Sequence, residues 1–469
     1  MFRNEETEKL YRERLNRYVT AMRGGTPDRI PIRFLLQEAA ARYQGVSNQT
    51  VGCDYNAAFE VTRKTAEDLG CDAVMLNAIW SNYGVGKAAS WKYLHIPGVD
   101  VGMDSVNQFS EPEKEEDMFL QFDEYDEFSD DPTAFLYTKW LPRASDRVKM
   151  KGMPADYDHN LALVSGALAY ADYMGAFGPA ANRLKYESGV VSANSGMIKA
   201  PLDILADKFR GYTNVCVDSI EHPEKVLKAC EALMPHILAN ALAGADPDKN
   251  VPVTIWAHRG CVPFTTPEVF DTIFWPTLKP IFEEIIAKGH QILFYGEGCW
   301  EYHYDRLLEL PEYGIIYHLD KGSPEKAAML KKKFAVSGGL SYDVLARGSE
   351  SDVRDAMKRL FDALKDGGGY ILDATALMLS DIKPENLRAA VEYTLEHGVY
   401  NQASPGKAIG KPAAPYNITP GRRPPFVCRP WSEESAAYRN LSGDIPLVKS
   451  RWEAADAAAY NYIWTTVLW

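Results

Sequence analysis

Apolar positions along the chain fall into helical stripes and short continuous runs, and the order in which the two alternate predicts the fold. Leu10, Tyr11, Leu15 and Tyr18 form one stripe of a helix over 5–23, which GGTPDR at 24–29 ends with glycine and proline. Residues 30–34 read as a strand, 55–69 as a helix closed by Gly70, and 71–76 as a second strand. The middle is less regular. The acidic stretches 111–117 and 123–131 read as solvated surface and helix caps, and a helix is expected from Pro132 to about Arg143. Residues 155–200, rich in Ala, Gly and Tyr, read as packed helices plus loop.

Beyond residue 250 the alternation becomes regular. Apolar runs at 251–256, 292–295, 315–317, 334–336 and 370–372 alternate with helical patterns at 267–288, 301–309, 324–332 and 351–365, and a last helix is expected over 384–397. Such alternation predicts parallel strands joined by crossover helices. Continuous rather than alternating apolar runs predict strands buried on both faces. The expected fold class is therefore α/β, a (β/α)₈ TIM barrel over residues 30–400. A helical extension over 1–29 precedes it. The segment 401–469, with eight prolines and the aromatic finish YNYIWTTVLW, follows as an arm packed on the barrel or on a partner subunit, so a homodimer is allowed. No GxGxxG opens a helix, which leaves a dinucleotide-binding sheet without support.

Composition narrows the partners. Over 469 residues the formal net charge is −13, an excess of carboxylates that disfavours nucleic acid and anionic membrane surfaces. The first residues lack the apolar core of a secretory signal, and no apolar stretch is long enough to span a bilayer. Seven widely spaced cysteines without a CxxC argue against a disulfide framework, so a cytoplasmic location is expected.

Candidate chemistry collects where the apolar runs end, because side chains just past the C-terminal ends of barrel strands converge on one mouth. These positions hold His258, Arg259, Glu297, His318, Asp320 and Asp373. Glu297 lies between Gly296 and Gly298, which allow close approach of a ligand. His318-x-Asp320 is a spacing in which a carboxylate orients an imidazole. Glu297 and His318 are the candidate ligands of a zinc ion in an open site, and His258 and Asp320 the candidate acid/base groups. Asn77, Trp80, Arg259, Tyr295, Trp300 and Asp373 are candidate substrate-binding residues. Cys299 has no partner at a nucleophile's spacing, and the triple glycine at 367–369 precedes a strand and reads as a turn.

Four segments are similar to one known family: AMRGGTPDRIPIRF, FTTPEVFDTIFWPTLKPIFEEIIAKGHQILFYGEG, AVSGGLSYDVLARGSESDV and GGYILDATALMLSDIKPENLRAAVEYTLEHGVY. Jointly, over about 14–400, they resemble the uroporphyrinogen decarboxylase superfamily, which includes corrinoid-dependent methyltransferases and implies a (β/α)₈ barrel. The decarboxylases carry an arginine-rich segment after the first strand; here IPIRFLLQEAAARYQG holds only Arg33 and Arg42, too little positive charge for a substrate with eight carboxylates. The methyltransferases carry a zinc motif His-x-Cys-Gly, which falls on Tyr295-Gly296-Glu297-Gly298, and a later cysteine, which falls near Ala376. The resemblance thus implies an altered site of oxygen and nitrogen donors, suited to an oxygen-linked rather than a sulfur-linked methyl group. The expected activity is transfer of a methyl group from a small donor, such as a methoxylated aromatic, to a corrinoid (cobalamin) carried by a partner protein. Two alternatives stay open: a decarboxylase or lyase using Asp373, His258 and Arg259, and a non-catalytic barrel that binds corrinoid or tetrapyrrole.

Overall fold

The computed structural model describes residues 1–76, 83–375, 378–413 and 416–468. Nine short strands build the centre: β1 (Arg33–Phe34), β2 (Ala73–Val74), β3 (Val191–Ser192), β4 (Gly196–Lys199), β5 (Val253–Ala257), β6 (Ile292–Cys299), β7 (Ile315–Lys321), β8 (Ala335–Gly338) and β9 (Tyr370–Ile371). All pair in parallel, in two ladders, β1-β2-β3 and β9-β8-β7-β6-β5-β4. A parallel bridge between Ile32 and Leu372 joins the first ladder to the second. At the other seam β3 pairs with β2 and β4 with β5, and the two are separated only by Ala193, Asn194 and Ser195. The ring is that of an eight-stranded α/β barrel whose third strand is broken in two.

The barrel is filled from below by the chain's first helix, Glu5–Met22. Tyr18, Ala21 and Met22 share a buried cluster with Leu35, Ala73, Met75, Val191, Trp256, Leu293, Tyr295, Ile316, Ala335 and Ile371. Tyr18 donates its hydroxyl to the Ala193 carbonyl at 2.9 Å, in the break of the third strand. Arg17 and Arg29 clamp the buried carboxylate of Asp72, which also accepts the Ile32 amide. The N-terminal segment is therefore the floor of the barrel as well as an extension of it.

Outward-facing strand residues such as Val253, Ile255, Phe294, Tyr317, Leu319 and Val336 belong to the main core under the crossover helices. One of these helices, Glu350–Leu364, begins at a reciprocal cap between Ser349 and Asp352 and buries Val353, Met357, Leu360, Phe361 and Leu364, the stripe its spacing predicts. Residues 155–200 hold one 32-residue helix, Tyr157–Ser188, capped by Asp156 and stopped by Gly189 at φ 61°, followed by β3 and β4. Neither strand is evident in the sequence, because VVSANSGMIKA lacks an unbroken apolar run.

Part of the acidic middle is structural. Glu124 accepts from Lys139 and Arg143, and despite burial these partners hold its carboxyl down at about 2. The C-terminal arm ends in a helix, Ile445–Leu468, with Tyr460, Ile463, Trp464 and Val467 buried against the chain's own core. His236 stacks on Trp464 at 3.9 Å and hydrogen bonds the Tyr460 hydroxyl at 2.7 Å. His236 lies on Pro223–Ala243, which among the described residues is the one helix long and apolar enough to cross a membrane; half of its apolar window is buried inside the protein.

Candidate active site

Parallel register stacks the inward-facing side chains in tiers. Lys199, Trp256, Tyr295, His318 and Ser337 are register partners on neighbouring strands and form one tier across the barrel. Three of them stack face to face: Trp256 on Tyr295 at 4.1 Å and Tyr295 on His318 at 3.8 Å, each pair within 16° of parallel. Two residues further along each chain, the same alternation carries His258, Glu297 and Asp320 to the rim above.

Beneath the rim lies a charged group inside the barrel. Arg33 is fully buried and donates through Nε and Nη2 to Asp373 Oδ2 at 3.0 and 2.7 Å. Its Nη2 also lies 3.1 Å from both Ser337 Oγ and His318 Nδ1. A guanidinium only donates, so Nδ1 accepts and the ring hydrogen sits on Nε2. Burial, reinforced by the Arg33 charge, pushes His318 well below the usual histidine range, so the ring is neutral. Among the described residues, neither His318 Nε2 nor Arg33 Nη1 has a hydrogen-bond partner, although both are buried. Burial raises the Asp373 carboxyl to about 6, with Arg33 holding it from going further.

The structure redistributes the expected roles. Asp320 does not orient His318: its Oδ2 accepts the Gly298 amide at 2.7 Å, while Nδ1 faces Arg33 and Ser337. Glu297 does not meet His318 either. Its Oε2 accepts from Trp256 Nε1 at 2.8 Å, so the side chain leans toward β5, on the far side of β6 from the histidine. No group of three His, Cys, Asp or Glu among the described residues is placed to hold a metal ion. With Glu297 turned away and a fixed cation beside His318, the pair does not fit a zinc site as arranged. Trp300 is not a wall of the mouth: it is fully buried among Phe270, Phe274 and Phe294, and its Nε1 is bonded to the Glu297 carbonyl. Tyr295 is likewise buried to its hydroxyl, 3.4 Å from the Thr375 carbonyl. Asp373 lies inside the barrel on Arg33 rather than at the rim. Asn77, Trp80 and Ala376 lie outside the described residues.

A second polar cluster forms around His258 and Arg259. The fully buried Asp203 accepts both of their amides, at 3.1 and 2.8 Å, and so shapes the turn that ends β5. Asp207 accepts from Lys199 Nζ at 2.7 Å and Arg259 Nη2 at 3.2 Å, and contacts His258 Nε2 at 3.1 Å. Burial alone would raise Asp207, but His258, Lys199 and Arg259 hold it well below the usual carboxylate range. Arg259 also packs over the Tyr212 and Phe264 rings. Asp203 and Asp207 stand four apart on the helical segment after β4. That spacing is visible in PLDILADKFR, but it gains meaning only once β4 is known to end at Lys199. Arg33 had a plainer signal, a lone charge inside the apolar run IPIRF.

The family model described as uroporphyrinogen decarboxylase (URO-D) matches residues 169–397. No curated protein matches the chain. Among solved structures, a methyltransferase from Methanosarcina mazei is similar to this chain with a TM-score of 0.53 and 14% identity, covering 81% of this chain and 98% of its own. At that identity the likeness speaks for the fold. The family match runs from within the long helix before β3 to the last helix of the barrel, so the ring from β3 onward is what resembles the uroporphyrinogen decarboxylase family.

Proposed function

We propose that this protein is a methyltransferase that moves a methyl group from a small oxygen-linked donor, such as a methoxylated aromatic, to a corrinoid carried by a partner protein. The observation that carries the reading is the mouth itself. Glu297, His258 and Asp320 supply oxygen and nitrogen at the rim, directly above the parallel rings of Trp256, Tyr295 and His318. A few fixed polar groups above a tier of buried rings suit a small molecule whose reactive atom is an oxygen. The methyltransferase from Methanosarcina mazei, alike in fold, is consistent with this chemistry.

The direct test incubates the purified protein with cob(I)alamin and a panel of methoxybenzoates and follows the corrinoid spectrum. Methyl transfer from at least one ether supports the reading. Release of CO₂ from a carboxylated substrate without methyl transfer overturns it in favour of the decarboxylase alternative. A zinc ion on Glu297 and His318 would require Glu297 to leave Trp256, so the metal content of the wild type, Glu297→Ala and His318→Ala measures whether that rearrangement occurs.

A further inference from the structure

Breaking a methyl ether leaves a proton to be supplied, and the cluster around Asp207 is built to supply one. We infer that His258, held by Asp207, is the proton donor to the leaving oxygen of the methyl donor. The inference rests on the methyl-transfer reading above.

The geometry fixes which ring atom acts. His258 Nε2 lies 3.0 Å from Asp207 Oδ2 and 3.1 Å from Oδ1, so that nitrogen carries a hydrogen in either protonation state. Among the described residues Nδ1 has no hydrogen-bond partner, although it is buried, and it stands 3.7 Å from Asp203 Oδ2. Both Asp203 oxygens already accept backbone amides, leaving Nδ1 as the unsatisfied atom of the pair. His258 directly follows Ala257, the last residue of β5, whose register partner Gly296 precedes Glu297 on β6. The charged groups around the ring are Asp203 and Asp207, with Lys199 and Arg259 both bonded to Asp207, and the Cys261 thiol donates to the His258 carbonyl at 3.5 Å. Burial alone would lower the imidazole, but the two carboxylates outweigh it and leave the ring above the usual histidine value.

The step balances as follows. The methyl carbon passes to the reduced cobalt corrinoid, a two-electron nucleophile. The C–O bond breaks with its electron pair on oxygen, and the Nδ1 proton moves to that oxygen. His258 is left neutral, its remaining hydrogen on Nε2 and donated to Asp207, and takes up a proton from solvent at Nδ1 before the next turnover. Such help matters most when the leaving oxygen is a poor leaving group. Asp207 is a positioning residue, since it acts through the ring.

The test compares wild type, His258→Gln and Asp207→Asn in methyl transfer to cob(I)alamin, from methyl ethers whose leaving alcohols or phenols span a range of acidity. The pKa of His258 is read in parallel by NMR of ¹⁵N-histidine-labelled protein. The expected result is a loss on the order of 10²–10⁴ for His258→Gln with the least acidic leaving groups, shrinking to a few-fold with the most acidic. Asp207→Asn is expected to lower the His258 pKa and to move the alkaline limb of the pH–rate profile down with it. A uniform loss across the series, or a His258 pKa that Asp207→Asn leaves unmoved, overturns the inference while methyl transfer by the wild type stands. Absence of transfer by the wild type from every ether overturns the underlying reading instead; the NMR arm then still decides whether Asp207 holds the ring.

Discussion

Arg33 and Asp373 form a salt bridge in which neither side chain reaches solvent. Removing one partner leaves the other as an uncompensated buried charge, which costs far more than the pair contributes. Arg33→Met is therefore expected to lose about 3–5 kcal/mol in urea unfolding, and the double variant Arg33→Met/Asp373→Asn to recover part of that loss. A double variant no more stable than the single would show that the charge is not what the site must accommodate. Gly298 is a second point of constraint. It stands at φ 91°, and a Cβ there would lie 2.4 Å from Cys261 Sγ. Gly298→Ala is expected to lower the melting temperature by several degrees, through both backbone strain and that clash. Combining it with Cys261→Ala should restore only the part due to the clash. Trp300→Phe, by contrast, should lower stability while leaving the affinity for an accepted methyl donor within about two-fold, because the indole is packed away from the mouth.

At the scale of elements, one of the contacts that hold the C-terminal helix on the rest of the chain is a histidine. His236 is stacked on Trp464 and bonded to Tyr460, and burial lowers it from the ordinary histidine value to about 3. A base whose folded pKa is depressed binds fewer protons in the native state than in the unfolded chain. Its stabilising share is thus complete above about 6.5 and is lost as the pH falls toward 3. Stability is expected to decline below pH 6.5 by up to about 1.4 kcal/mol per pH unit from this group alone, and less steeply in His236→Gln. Urea unfolding at pH 7, 6 and 5, followed through tryptophan fluorescence, checks the slope. Equal slopes in the two proteins would mean that the helix is not held by the neutral ring.

For the molecule as a whole, the barrel closes through two thin seams, the single Ile32–Leu372 bridge and the broken third strand, and the N-terminal helix lies against both ends of the problem. Tyr18 reaches the break itself, and Arg17 and Arg29 meet at Asp72 beside β2. Deleting residues 1–22 is therefore expected to expose the apolar floor, raise binding of a hydrophobic dye severalfold and abolish a cooperative thermal transition. Retention of a sharp transition would show that the floor is dispensable.

Much of this was legible along the chain. Continuous apolar runs after residue 250 marked β5 to β9 to within a few residues, because burial on both faces writes a strand as an unbroken run, and of the ionisable residues that end them His258, Glu297 and Asp320 fall at the rim while His318 and Asp373 lie beneath it. The sequence also carried segments similar to the uroporphyrinogen decarboxylase family, whose model matches residues 169–397. What it could not show was which rim residues meet. Spacing made Asp320 the partner of His318, and alignment made Glu297 its companion, yet parallel register places Tyr295 against His318 and turns Glu297 toward Trp256. Arg33, Asp203 and Asp207 lie in segments whose neighbours are distant in sequence, and β3 and β4 carry no apolar run to announce them. Local patterning determined the strands other than β3 and β4. Partnership among side chains was decided only when the ring closed, because hydrogen bonds and ion pairs depend on register across strands that the sequence keeps far apart.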